Sequence, residues 1–306
     1  MKNLKGSLIL LLAAFIWGTA FVAQSSGADK VDTFTFNAFR SFVGVLFLLI
    51  VVKIRDYKIN KTATSANADM AVKPWPIKGG IVCGIVLFLA SGFQQAGIGL
   101  YPDGVAASGR SGFLTATYVV MVAVVVQIVG KKIHPLIVVS IIGVVCGLYL
   151  LCMSGGFDAI YIGDVFGFIC AICFTVHILV IDKYSDVDSI KLSCLQFFVC
   201  GILSFTAMLI MEEPVLADVI AALIPILYAG VMSSGIAFTL QMVGQKYAEP
   251  HIASIVMCLE SVFAVLAGWV VLGERLLPRE YVGCALVFAA VILAQIPAFK
   301  TEKKNI

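Results

Sequence analysis

Charge is scarce in this sequence. Asp, Glu, Lys and Arg make up 13% of its 306 residues, where soluble chains average about 25%. Hydrophobic residues reach 61% and the mean hydropathy is +1.04. A soluble domain this apolar would have too little polar surface to face water, so that class is excluded and a polytopic membrane protein remains. The net charge is only +3, and the bases are spread over loops with no aromatic-interleaved basic face. That excludes nucleic acid as a partner. Histidine is nearly missing, at three residues. The nine cysteines all lie in apolar runs, and Cys170 and Cys173 have no second pair or His at zinc-finger spacing. No metal site is expected, and the cysteines read as small packing residues. Enzymatic signatures are missing too. Asp164 stands at a helix start without a carboxylate partner at depth, and Ser254 and His251 sit at a lip with no nucleophile elbow. No nucleotide fingerprint appears. The expectation is no enzyme and no cofactor.

What the sequence does have is long apolar runs. A spanning helix needs about 20 apolar residues. Ten segments qualify, near 7–24, 33–53, 78–100, 105–129, 136–152, 163–183, 190–211, 225–246, 251–273 and 280–297. Pro135, Pro225, Pro250 and Pro278 sit at or near proposed first turns, where a missing N–H is harmless. Pro225 further predicts a short interfacial piece over 215–223, with the eighth span starting after it. Lys2 and Lys5 precede the first run without a convincing small-residue cleavage site, which predicts an uncleaved first helix. The one long loop, Lys53 to Lys78, is polar and low in bulk from Asn60 to Ala71, which predicts a mobile cytoplasmic segment.

Sixteen of the 21 Lys and Arg flank the spans on the side of the termini, and Lys30, Arg275 and Arg279 flank them on the other. By the positive-inside rule both termini are cytoplasmic. Asp29, Asp32, Asp158, Glu212, Glu213 and Asp218 gather on the opposite side.

The two halves repeat each other weakly but in order. Asn37-Ala38-Phe39-Arg40-Ser41-Phe42-Val43 matches 193–199 at an offset of 156, and Trp17-Gly18-Thr19 matches Cys173-Phe174-Thr175 at the same offset. Gln94 and Gly97 match Gln241 and Gly244 at 147, and Gly130 and Pro135 match Gly273 and Pro278 at 143. Five spans per half is an odd number, so the halves run with opposite topology. The expected fold is therefore all-α, with ten transmembrane helices as a 5+5 inverted repeat. Residues 1–152 form the first repeat, 153–162 an extracytoplasmic linker, 163–298 the second repeat and 299–306 a cytoplasmic tail.

Six pieces stand in a telling order: Ala14 to Thr19, Phe39 to Phe42, Gln94 to Leu100, Ser111 to Thr115 with Tyr118 to Val120, Gly147 to Leu151, and Leu259 to Phe263 continuing through Leu272-Gly273-Glu274-Arg275. By these pieces the chain resembles the drug/metabolite transporter superfamily in its bacterial EamA-like branch. Lys131-Lys132 departs from the acidic-basic pair that Glu274-Arg275 shows in the second half, and Cys173-Phe174 from a Trp-Gly-type pair. The resemblance implies a secondary transporter of small metabolites in the cell membrane. Amino acids and related compounds lead, and export is commoner than uptake. A channel, a lipid-handling protein and an intramembrane enzyme are the alternatives. The bilayer, a small-molecule substrate and a coupling proton or cation are the expected partners.

Inverted repeats place the site near the midplane, between the halves. There the ninth span carries one carboxylate, Glu260, within an apolar run. Such a charge costs about 3 kcal/mol on insertion scales. Its readings are a coupling site, a counter-charge for an ammonium, an ion pair with Arg110 or Arg40, or a protonated acid bonded to another helix. Thr117 is its expected repeat mate at 143. Arg40, two turns into span two, is an anchor or a substrate or gate contact. Arg110 is an outer gate or a snorkelling charge. Trp17, at mid-span, is a cavity wall or packing, and Tyr118, Phe113 and Tyr228 are weaker versions of the same. Gln94, Gln95, Gln241 and Gln245 bond between helices or line a polar path. His177 is a proton relay or a satisfied core residue. Gly80/Gly84, Gly143/Gly147 and Gly163/Gly167 have the small-residue spacing of close helix packing, within the chain or in a homodimer.

Overall fold

The structure is a computed structural model, and it describes residues 2–62, 72–102, 107–130, 133–153, 160–267, 269–270 and 277–304. The described residues are helical apart from short connections. The helices are α1 (Lys2–Ala28), α2 (Thr33–Thr62), α3 (Ile77–Gly99), α4 (Ala107–Ala116), α5 (Tyr118–Ile128), α6 (Pro135–Cys152), α7 (Ile162–Lys183) and α8 (Ser189–Met211). Then follow α9 (Leu216–Ala221), α10 (Leu223–Tyr228), a π-helical stretch (Ala229–Ala237), α11 (Phe238–Gln245), α12 (Pro250–Met257), α13 (Leu259–Ala267) and α14 (Pro278–Lys304). Nine of these segments are long and apolar enough to cross a membrane, and Pro135–Leu151 is a shorter apolar helix, which makes ten. α4 and α5 together are span four. α10 to α11 make span eight, and α12 with α13 make span nine.

The helix starts have local causes. Pro135 and Pro250 occupy the first turn of α6 and α12. Asp188 caps α8, its carboxylate accepting from the Ile190 and Lys191 N–H groups at 3.0 and 3.1 Å. The first turn of α2 is capped from a distance by Glu212, which accepts from Phe34 N, Thr35 N and Thr35 Oγ1 at 2.6, 2.7 and 2.8 Å. A carboxylate there meets the orphan N–H groups and the positive end of the helix dipole.

Four expectations change. α2 runs on to Thr62, so the start of the expected Lys53–Lys78 loop is helical; Arg55 in that extension is held by Asp188 at 2.8 Å. Span eight begins at Leu223, two residues before Pro225, after the short helix α9. Pro225 still falls within the first turn, so its missing N–H disrupts no bond. Spans four and nine are not continuous: each is broken, at Thr117 and at Cys258. At both points the ladder tightens by one residue, with Val120 N bonded to Thr117 O at 3.1 Å and Ser261 N to Cys258 O at 3.2 Å. α14 continues to Lys304, through most of the expected tail. The Lys131-Lys132 and Glu274-Arg275 motifs, residues 63–71 of the long loop and 154–159 of the linker lie outside the described residues.

Helix neighbours follow the repeat. α2 packs on α8, and α6 on α14. α3 packs on α7 and α8, while span eight packs on α1 and α2. Span four packs on α7, while span nine packs on α1. Exchanging the first five spans for the last five maps this set of contacts onto itself. Span nine is the central element, with 78% of its apolar window buried against 28% for α14. The chain ends lie together, Ser7 Oγ donating to Gln295 Oε1 at 2.9 Å.

The glycine pairs are used inside the chain. At the α6–α14 crossing, a Cβ on Gly147 would sit 2.9 Å from Gly283 O, and one on Gly283 would sit 2.7 Å from Gly147 O. Gly84 and Gly167 face Val199 and Leu114 in the same way.

Candidate functional site

The two halves enclose a cavity. Its walls come from α1 (Trp17, Phe21, Gln24), α2 (Arg40), α3 (Ser91, Gln94), span four (Thr115, Tyr118) and α7 (Phe174, Ile178). Ser233, Phe238 and Gln241 of span eight and Met257 and Glu260 of span nine complete it. The space between atoms, including the part open to solvent, is about 530 Å³, and Trp17, Phe21, Tyr118, Phe174 and Phe238 give it an aromatic wall.

Three backbone features lie at its wall. Tyr118 directly follows the break at Thr117, Glu260 lies two residues after the break at Cys258, and both line the cavity. The π-helical stretch carries Ser233 on its cavity side, in line with the habit of π-bulges to sit at functional sites. Gly18 allows α1 to press on span nine: a Cβ there would lie 2.8 Å from the Glu260 carbonyl oxygen.

Glu260 is 7% exposed. Its hydrogen-bond partner is the Tyr118 hydroxyl, which donates to Oε1 at 3.4 Å. Among the described residues no cation comes within ion-pair distance of it. Arg40 is 5% exposed. Its Nη1 donates to Gln24 Oε1 at 3.5 Å, and its guanidinium lies 5.8 Å from the Phe36 ring centre. Its Nε has no partner among the described residues. Trp17 stands edge-on to Phe238, ring centres 4.9 Å apart, and its indole N–H is also without a described partner. Gln241 Oε1 is likewise unsatisfied. Buried polar atoms without partners are rare in a settled core. Three of those in the described residues, on Trp17, Arg40 and Gln241, belong to the wall of this cavity.

Six of the nine expected site residues, Glu260, Trp17, Tyr118, Arg40, Gln94 and Gln241, line this cavity. Three do not. Thr117 is consumed by the helix break, its hydroxyl donating to Leu114 O at 2.6 Å. The breaks equate Thr117 with Cys258 at an offset of 141, so it is not the mate of Glu260. Arg110 neither gates freely nor pairs with Glu260. It forms a bidentate pair with Asp164, Nε to Oδ1 at 2.6 Å and Nη2 to Oδ2 at 2.8 Å. Asp164 is thus paired with a cation, and it also accepts from Tyr101 Oη and Tyr161 N at 2.9 Å each. His177 is behind the wall, its Nε2 3.0 Å from Gln196 Oε1 and its ring edge-on to Phe174 and Phe238. Of the weaker candidates, Tyr228 bonds Thr19 at 2.7 Å, Phe113 packs on Tyr149, and Gln95 and Gln245 donate to the carbonyls of Gln24 and Ile178.

Gln24, Ser233, Phe238 and Met257 line the cavity without having been singled out, while Thr115 and Phe174 entered only through the family-like motif and the departure from a Trp-Gly-type pair. Gln24 was detectable as an amide within a spanning run. Ser233, Phe238 and Met257 carry no signal apart from the fold.

The cavity lies between two five-helix halves, and family comparison divides the chain in a similar way. The EamA-like transporter family pattern matches residues 4–153 and again 161–295. The chain belongs to the EamA-like transporter family. It is 31% identical over 300 residues to a protein of Archaeoglobus fulgidus named only as an uncharacterized transporter, covering 97% of this chain and 87% of that one. It is 21% identical over 295 residues to the uncharacterized transporter YoaV of Bacillus subtilis, covering 93% and 94%. A crystal structure titled only as that of a protein shares the fold, with a TM-score of 0.77, 19% identity and coverage of 97% and 99%. This EamA-like protein is thus a multi-pass membrane transporter for small molecules.

Proposed function

We propose that this transporter carries a small amine-bearing metabolite, an amino acid or a related amine or zwitterion, out of the cell across the plasma membrane. It would work by alternating access between its two repeats, with both termini in the cytoplasm as the Lys and Arg distribution indicates. The observation that carries the reading is Glu260: a buried carboxylate on the wall of an aromatic cavity, bonded to Tyr118 and paired with no cation among the described residues. An unpaired charge at that depth is unfavourable, so the carboxylate takes a cation, either a proton or the substrate ammonium.

One carboxylate holds one of these at a time, and the competition couples them. Facing inward, the ammonium displaces the proton. Facing outward, a proton displaces the ammonium and returns with the carrier. Crossing with Glu260 ionised and empty is penalised by the apolar surroundings, which suppresses leak. Trp17 and Tyr118 supply faces that favour a cation beside a ring. Export is the direction that the family resemblance implies.

The test is counterflow and pH-driven accumulation in proteoliposomes holding the purified full chain, with labelled L-amino acids and their decarboxylated amines as probes. Glu260→Gln is expected to lose pH-driven accumulation at least tenfold, while Glu260→Asp keeps part of it. Unchanged flux with unchanged pH dependence in Glu260→Gln would remove both the coupling and the counter-charge roles.

A further inference from the structure

The cavity holds a second charge that Glu260 does not neutralise. Arg40 has five N–H donors and no accessible neutral form. The described structure gives it one hydrogen bond, at the 3.5 Å limit, to the neutral amide oxygen of Gln24. Its Nε is unpartnered, the Phe36 ring is 5.8 Å away, and no carboxylate lies within ion-pair reach among the described residues. At 5% exposure, water from outside does not reach it freely. The other buried arginine of the bundle, Arg110, is by contrast fully engaged by Asp164.

Both charges line the same cavity. Gly18 of α1 faces the backbone carbonyl of Glu260, and the side-chain oxygen of Gln24 meets the head of Arg40. Those two α1 residues are about 9 Å apart along the helix. An amino acid with its ammonium on Glu260 and its carboxylate on Arg40 spans roughly 8 Å, as three links of about 2.8 Å each. The planar guanidinium fork matches a carboxylate in bidentate geometry, which an amine or an alcohol cannot reproduce.

We infer that Arg40 is the carboxylate-binding residue of the transport site. With Glu260 it makes the cavity selective for amino acids over amines. The inference rests on the amine role proposed for Glu260 and adds the second pole. Gln24 is a positioning residue in this arrangement, holding one edge of the guanidinium so that the remaining donors face the cavity. The repeat mate assigned to Arg40, Gln196, bonds His177 instead and leaves the cavity with a single anion-binding pole.

The test is a matched series in proteoliposomes containing the full chain: neutral L-amino acids, their carboxamides, and their decarboxylated amines. Each is scored by counterflow and by thermal stabilisation of the purified protein. Wild type is expected to prefer each carried acid over its carboxamide by at least tenfold. In Arg40→Gln that ratio should fall to about one while amine flux persists, and Arg40→Lys should keep an intermediate ratio. Equal handling of acid, amide and amine by wild type overturns the inference even if the variants do not fold, and leaves the Glu260 reading standing. So does a preference that survives Arg40→Gln. A chloride requirement with no acid preference would assign Arg40 to an inorganic anion and also overturns it. Absence of counterflow for every acid and amine overturns both readings.

Discussion

The Arg110–Asp164 pair offers the sharpest test of the packing. Both contacts are short, 2.6 and 2.8 Å, and the side chains are only 9% and 11% exposed. The carboxylate also accepts from Tyr101 and Tyr161, and the guanidinium lies 4.9 Å over the Tyr161 ring. An exposed ion pair contributes about 0–1 kcal/mol, whereas stranding one member of a buried pair costs about 3–5 kcal/mol. Asp164→Asn keeps an oxygen for Tyr101 or for the Tyr161 N–H but loses the charge and the fork. The expected loss is therefore intermediate, about 2–4 kcal/mol. Arg110→Met removes the cation and strands Asp164, with a loss of about the same size. Because the two residues share one interaction, the double variant should cost well below the sum, with a coupling of about 2 kcal/mol. Unfolding of the detergent-purified protein can be followed by a thiol-reactive dye, since Cys83, Cys170, Cys194, Cys200 and Cys258 are buried until it unfolds. Additive single losses, with coupling below about 0.5 kcal/mol, would show that the pair is effectively solvated and refute the reasoning.

Two further outcomes follow from the same structure. Gly147→Ala places a methyl 2.7 Å from Val287 Cγ2 and 2.9 Å from Gly283 O, so it should destabilise by about 1–3 kcal/mol; an unchanged melting temperature would show that the α6–α14 crossing is looser than described. At the end of the bundle near the chain termini, burial alone would raise the Asp188 carboxyl, but the Arg55 hydrogen bond and the Lys191 N–H outweigh it and hold it below its ordinary value. A depressed carboxylate adds stability above its unfolded pKa of about 3.9 and loses it as pH falls through the folded value. The acid-side loss of stability should therefore be shallower in Asp188→Asn than in wild type, measured as unfolding against pH from 6 to 3. Identical slopes would contradict it.

What the linear chain makes legible is whatever depends on local composition and period. Ten apolar runs, their proline starts and the weak internal repeat are written residue by residue, because the hydrocarbon thickness sets helix length and an unpaired backbone is not tolerated in lipid. Glu260, Arg40, Gln94 and Gln241 stood out for the same reason: a polar group within an apolar run is conspicuous. Most of the misses at the site are relations between distant residues. Arg110 and Asp164 are 54 positions apart and each looked solitary until α4 and α7 were packed together. Thr117 was paired with Glu260 by counting at 143, but it sits at the break of span four, whose counterpart in span nine is Cys258, 141 residues on. Ser233 of the π-helical stretch and Phe238 of α11 are ordinary span residues until packing places them on the cavity wall.

Sequence by itself determined that this is a ten-span membrane protein in two related halves, with a costly carboxylate in its ninth span. Tertiary structure alone decided which charges meet. It spent Asp164 on Arg110 and left Glu260 and Arg40 facing one cavity without ionic partners among the described residues. Charge pairing is set by distances of a few ångströms across helices, and no local pattern in the chain encodes those distances.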